Sequence, residues 1–140
     1  MSSDQNRVSW EEYALLLAET AALRSEDPYR KVGACALGGD GRVLALGYNG
    51  LPSGVNAPSP SFWKDRDGRR PFMIHAEVNC LSMINAGDCE LIAVNLLPCS
   101  SCASTIAAYK IPRIVYREEY EKDMKAHDIF KFYKIELIRL

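Results

Sequence analysis

From Pro71 to its last residue the chain alternates between helical and extended patterns. Apolar spacing predicts helix over about 76–86, strand over 91–97, helix over 100–110 and strand over 112–116. A helix over about 121–132 and a strand over 135–140 follow. Strands separated by helices cannot be joined by tight hairpins. They need crossover connections, which make neighbouring strands parallel. That requirement narrows the fold more than any other feature of the sequence.

The first half reads differently. Ser9 and Glu12 stand at capping-box spacing. From Trp10 the residues Tyr13, Ala14, Leu17 and Ala21 recur at helical intervals, predicting a helix over about 10–24. Pro28 restricts Asp27 and favours a stop there. Two short apolar runs, 32–37 and 42–48, flank Gly38-Gly39-Asp40-Gly41 and predict an antiparallel hairpin. Asn49-Gly50 and the proline-rich stretch 52–60 form a loop, and the charged stretch 64–70 continues it as surface. The expectation is one α/β domain over residues 1–140, with the hairpin first, the alternating units after it, and helices on both faces.

Composition excludes several alternatives. With 48% hydrophobic residues and 17 basic against 18 acidic side chains, the net charge is −1. A disordered chain would be less apolar and more highly charged, and a general nucleic-acid binder would show a basic surplus. The uncharged run 91–109 is long enough to span a bilayer, but Pro98 splits it and Asn95, Ser100, Ser101, Ser104 and Thr105 punctuate it. It reads as a buried strand followed by a helix. The start of the chain is polar, with Asp4 and Arg7 and no apolar signal core, so export is not expected. Cysteines stand at 35, 80, 89, 99 and 102, an odd count without a disulfide framework. A reducing, cytoplasmic setting is expected, with Cys35, Cys80 and Cys89 filling the core.

Two motifs carry chemistry. His75-Ala76-Glu77 opens one predicted helix, and Pro98-Cys99-Ser100-Ser101-Cys102 joins a strand to the next helix. His75, Cys99 and Cys102 supply one nitrogen and two sulfur ligands, a set that suits Zn2+. Three protein ligands leave a position open, as catalytic sites do. Cys99 and Cys102 at a helix start place both sulfurs on one face near unsatisfied backbone N–H groups. Glu77, two residues past His75, can take a proton from an activated water and return it. Taken singly, the histidine could be a cap and the cysteine pair a redox motif or core packing. The two motifs in this order are the pattern of zinc deaminases.

On those motifs the sequence resembles the cytidine deaminase superfamily, and within it the deoxycytidylate (dCMP) deaminases. The resemblance continues through Arg24-Ser25-Glu26-Asp27-Pro28, Val32-Gly33-Ala34, the stretch 47–54 beginning Gly47-Tyr48-Asn49-Gly50, residues 71–79, Ile114-Val115-Tyr116 and Tyr120. It implies a three-layer α/β/α fold with a five-stranded mixed sheet, cytidine deaminase-like. It implies hydrolysis of dCMP to dUMP and ammonia, with zinc-activated water attacking C4 and Glu77 shuttling protons. Ala76 would help hold the base, Asn49 the sugar, and Arg24 and Tyr120 the phosphate and base. Relatives often assemble as homohexamers. The resemblance departs at Val55-Asn56-Ala57-Pro58, where many relatives carry Cys-x-Asp-Asp, so it does not by itself imply control by dCTP and dTTP, which stays open. No ligand set for a second, structural zinc is visible.

Three other readings stay open at this level. One is deamination of another base, nucleoside or modified cytidylate. Another is deamination of single-stranded nucleic acid, for which Lys64, Arg66, Arg69 and Arg70 are the basic cluster on offer. The third is a non-catalytic, zinc-stabilised interaction module, which would need no Glu77.

Overall fold

The computed structural model describes residues 6–140; Asp4, cited above for the polar start, lies outside them. Helix α1 spans Trp10–Ala22 and begins where the sequence places its cap, with Ser9 Oγ accepting the Glu12 N–H at 3.0 Å. Hairpin strands β1, Gly33–Leu37, and β2, Val43–Tyr48, follow. Three short helical turns come next: Phe62–Lys64, α2 at Arg66–Arg69, and Arg70–Phe72. The rest alternates: α3 Ala76–Leu81, β3 Leu91–Leu96, α4 Ser100–Ala108, β4 Arg113–Glu118, α5 Lys125–Phe132 and β5 Glu136–Arg139.

The five strands form one sheet in the order β2-β1-β3-β4-β5. β1 runs antiparallel to both neighbours, while β3, β4 and β5 are parallel. The crossover argument holds for the second half, and the sheet is mixed. In the hairpin Ala36 faces Ala45 while Leu37 faces Val43, so Leu44 is an extra residue in β2.

Side-chain alternation divides the core into two. Cys35, Leu37, Leu91, Ala93 and Val115 point to one face, where Ala14, Leu15 and Ala18 of α1 cover them. Ala34, Ile92, Val94 and Ile114 point to the other, against Cys80 of α3, Ile106 of α4 and Phe130 of α5. The run 91–109 is thus strand β3 and helix α4. No helix among the described residues is long and apolar enough to cross a membrane.

Two glycines set how closely the helices approach the hairpin. A Cβ on Gly33 would lie 1.9 Å from the Ala18 carbonyl oxygen. One on Gly47 would lie 2.5 Å from the Cys80 nitrogen and 2.7 Å from the Ala76 oxygen. The absent side chain at 47 is what seats α3, and with it His75 and Glu77, against β2.

Several boundaries differ from expectation. α1 ends at Ala22, before Pro28 can act, because the N–H groups of Leu23, Arg24 and Ser25 close a tighter turn onto Thr20, Ala21 and Ala22. α3 stops at Leu81 for the same reason, with Met83 and Ile84 turning onto Cys80 and Leu81. α5 starts at Lys125 rather than near 121, at the point where the Asp123 carboxylate accepts the Lys125 N–H.

Candidate active site

Both motifs sit where a loop enters a helix. His75 is the residue before α3 and Cys99 the residue before α4, each in extended conformation. Cys102 lies one turn into α4, on the same side as Cys99. β3, in the centre of the sheet, delivers Cys99 at its end. His75 Nδ1 lies 3.2 Å from Cys102 Sγ and 3.5 Å from Cys99 Sγ, and all three donor atoms fall within 4.8 Å of one another. Donors around a single zinc ion, at bonds of ~2.0–2.3 Å, stand about 3.3–3.8 Å apart. The donor set and its spacing therefore fit zinc. This is the one such group among the described residues.

The two sulfurs differ electrostatically. The Cys99 thiol is pulled down to about 4, chiefly by a hydrogen bond from Cys102 and also by one from His75, against burial. Cys102, as the donor of that pair, is pushed up. His75 is raised, mainly by its hydrogen bond with Cys99. Asp123 fixes the helix start: its carboxylate accepts the Ser100 N–H at 2.8 Å, beside Cys99, and the Lys125 N–H at 3.2 Å.

Glu77 is 4% exposed, on the first turn of α3. Burial pushes its carboxyl up to about 7, against its own backbone N–H and His75, which favour the ionised form. A buried carboxyl two residues from His75, with no ion pair among the described residues, is of the kind suited to proton transfer.

A cavity of about 550 Å³ opens over His75 and Cys99. His75, Ala76, Glu77 and Cys99 line it, together with Asn49 and Tyr120. Arg24 does not line it; that side chain is exposed beyond α1. Asn49 is largely committed to the fold. Its Nδ2 donates to the Arg30 carbonyl at 2.9 Å and to Asp27 at 3.3 Å, and its Oδ1 accepts the Val32 N–H at 2.9 Å. One lone pair on Oδ1 remains. Tyr120 is half-buried against the edge of the core.

The sequence reading missed two parts of the wall. Tyr29, Arg30 and Arg66 line the cavity, as do Glu119 and Lys122. The charged stretch 64–70 is not simply surface: Arg69 is 5% exposed and forms a bidentate pair with Asp27. Only an acid and a base far apart in sequence hinted at this, and nothing in their local pattern pairs them. The basic cluster considered for nucleic acid thereby loses Arg69 to the interior, while Arg70 pairs with Asp67.

Residues 8–118 match the family model for the cytidine and deoxycytidylate deaminase zinc-binding region. The chain is 32% identical over 128 residues to the deoxycytidylate deaminase of Pongo abelii, covering 86% of this chain and 68% of that one. It is 36% identical over 129 residues to the deoxycytidylate deaminase of Mycobacterium phage D29, covering 81% and 98%. Among solved structures, the apo dCMP deaminase of cyanophage S-TIM5 superposes over 100% of both chains, with a TM-score of 0.76 at 24% identity. Aspergillus oryzae Rib2 deaminase matches 94% of this chain and 84% of that one, with a TM-score of 0.63 at 16% identity. The structural likenesses establish the α/β fold with its mixed sheet.

Proposed function

We propose hydrolytic deamination of dCMP to dUMP and ammonia for this chain, which belongs to the cytidine and deoxycytidylate deaminase zinc-binding family. The observation that carries the reading is Glu77, buried on the same cavity wall as His75 and Cys99 of the His–Cys–Cys donor set.

His75, Cys99 and Cys102 would hold zinc, which when bound supplies Lewis-acid activation of water. Glu77 takes a proton from the attacking water and delivers it to N3 of the cytosine ring as the oxygen adds to C4. It then passes the second water proton to the exocyclic amine, which leaves as ammonia when the C4–N bond breaks. Burial keeps competing water from Glu77, so the proton returns to substrate. Ala76 lies at the first position of α3, where the backbone N–H has no intrahelical acceptor, and can donate to the base. Asn49 offers its remaining Oδ1 lone pair to a sugar hydroxyl, and Tyr120, which also lines the cavity, packs beside the base. Arg24 has no place in this arrangement within a single chain.

A homo-oligomer, hexameric as in the resemblance, belongs to the same reading, and sedimentation of the purified chain tests it. The activity is tested by ammonia release from dCMP, deoxycytidine and cytosine at matched concentrations of zinc-loaded protein. Turnover of dCMP well above the other two supports the reading. Preference for deoxycytidine or cytosine contradicts it.

A further inference from the structure

Besides His75 and Cys99, three cationic side chains line the cavity: Arg30, Arg66 and Lys122. They are not equivalent. Arg30 is already neutralised by Glu118 at 2.6 Å. Lys122 comes from the segment that also contributes Glu119 and Glu121 to the wall. The segments that supply Arg66, Tyr29 and Asn49 contribute no carboxylate to the lining.

Arg66 has acidic neighbours on both sides in sequence, yet both are committed elsewhere. Asp65 accepts the Gly68 N–H at 3.1 Å, and Asp67 pairs with Arg70 at 3.4 Å. What Arg66 does contact is the face of Tyr29, its guanidinium carbon 4.7 Å from the ring centroid. A guanidinium resting on a ring is held in orientation while its N–H donors stay unspent, the form in which arginine grips a phosphate with two parallel hydrogen bonds. One helical turn on, Arg69 locks the segment to the Tyr29 loop through its buried pair with Asp27. Asp27 in turn accepts the Tyr29 N–H at 2.8 Å, so the backbone carrying Tyr29 and the turn carrying Arg66 are tied to the same carboxylate.

We infer that Arg66 selects substrates bearing a 5′-phosphate monoester over the bare nucleoside, with the Asp27–Arg69 pair as the device that positions it. The inference rests on the deaminase reading for the identity of the nucleoside, and on geometry for the phosphate. Loss of a charge-assisted bidentate contact costs about 10- to 100-fold in affinity.

The test uses the zinc-loaded full chain and calorimetric titration with dUMP and deoxyuridine, neither of which has an amine to lose. Wild type binds dUMP more tightly than deoxyuridine. Arg66→Gln shrinks that ratio by about 10- to 100-fold, and Arg66→Lys restores part of it. A ratio unchanged in Arg66→Gln overturns the inference. So does an equal loss of both ligands, which would mark Arg66 as structural. Ammonia release from dCMP is recorded in parallel. A wild type that prefers dUMP but releases no ammonia from dCMP sinks the deaminase reading and leaves the phosphate selection standing.

Discussion

Arg69 donates to both oxygens of Asp27, Nη1 to Oδ2 and Nη2 to Oδ1, each at 3.1 Å, across 42 residues of chain. Both side chains are nearly inaccessible, at 5% and 9%. Asp27 also accepts from Asn49 and from the Tyr29 N–H. One carboxylate therefore gathers the loop after α1, the loop after β2 and the turn at α2, three of the pieces that wall the cavity.

Breaking this pair by one partner leaves a buried charge uncompensated. Arg69→Met is expected to lower unfolding free energy by about 3–5 kcal/mol, measured by urea denaturation. The double variant Asp27→Asn, Arg69→Met should lose less than the sum of the single losses, because the pair acts as one unit. Additive losses would show that the two residues act independently. The Arg69 Nε is buried with no hydrogen-bond partner among the described residues, so the pair is not fully satisfied.

Gly47→Ala should disturb the site from a distance. The new methyl would meet the backbone of Cys80 and Ala76, which cannot give way as a flexible side chain could. An overpacked contact costs about 1–3 kcal/mol. α3 must move off β2 to relieve it, taking His75 and Glu77 along. The expected result is a lower melting temperature together with reduced turnover well below it. Unchanged kcat with a lower melting temperature would show that α3 keeps its seat.

Thiol accessibility separates the five cysteines. Burial pushes the Cys35 thiol up to about 12 and the Cys89 thiol to about 11, and raises Cys80 as well. These three should resist alkylation in the native protein. Cys99 and Cys102 should be protected while metal is bound and react after chelation, Cys99 first because it is the more exposed and the more readily ionised. Peptide mapping of labelled protein before and after chelator reads both outcomes. Labelling of Cys99 at the same rate with and without metal would contradict the ligand assignment.

The strands and the ligand set were legible because each rests on a local pattern. β1, β3 and β4 are short apolar runs bounded by turn residues, and His75, Glu77, Cys99 and Cys102 come from two motifs with fixed spacing. Helix ends were less legible. α4 and α5 end on Lys110 and Lys134 in left-handed conformation, a position where glycine is the usual signal. The short turns at 62–72 lack any run long enough to show a period, and a dense mixture of charges there looks like surface. Arg69 is buried only because Asp27, from a separate loop, meets it. Sites assembled by such long-range pairs, including the Arg66 wall, become visible only once the chain is folded.

In the proposed reaction Glu77 moves protons in a site where three other residues would hold the metal. Glu77→Gln keeps the shape of the side chain and removes its ability to accept a proton. The direct measurement is steady-state ammonia release from dCMP by wild type and Glu77→Gln, with zinc content determined on the same samples. The proposed role of Glu77 predicts a folded variant with zinc equal to wild type and turnover lower by about 100- to 10,000-fold. Near wild-type turnover in the zinc-loaded variant would contradict it.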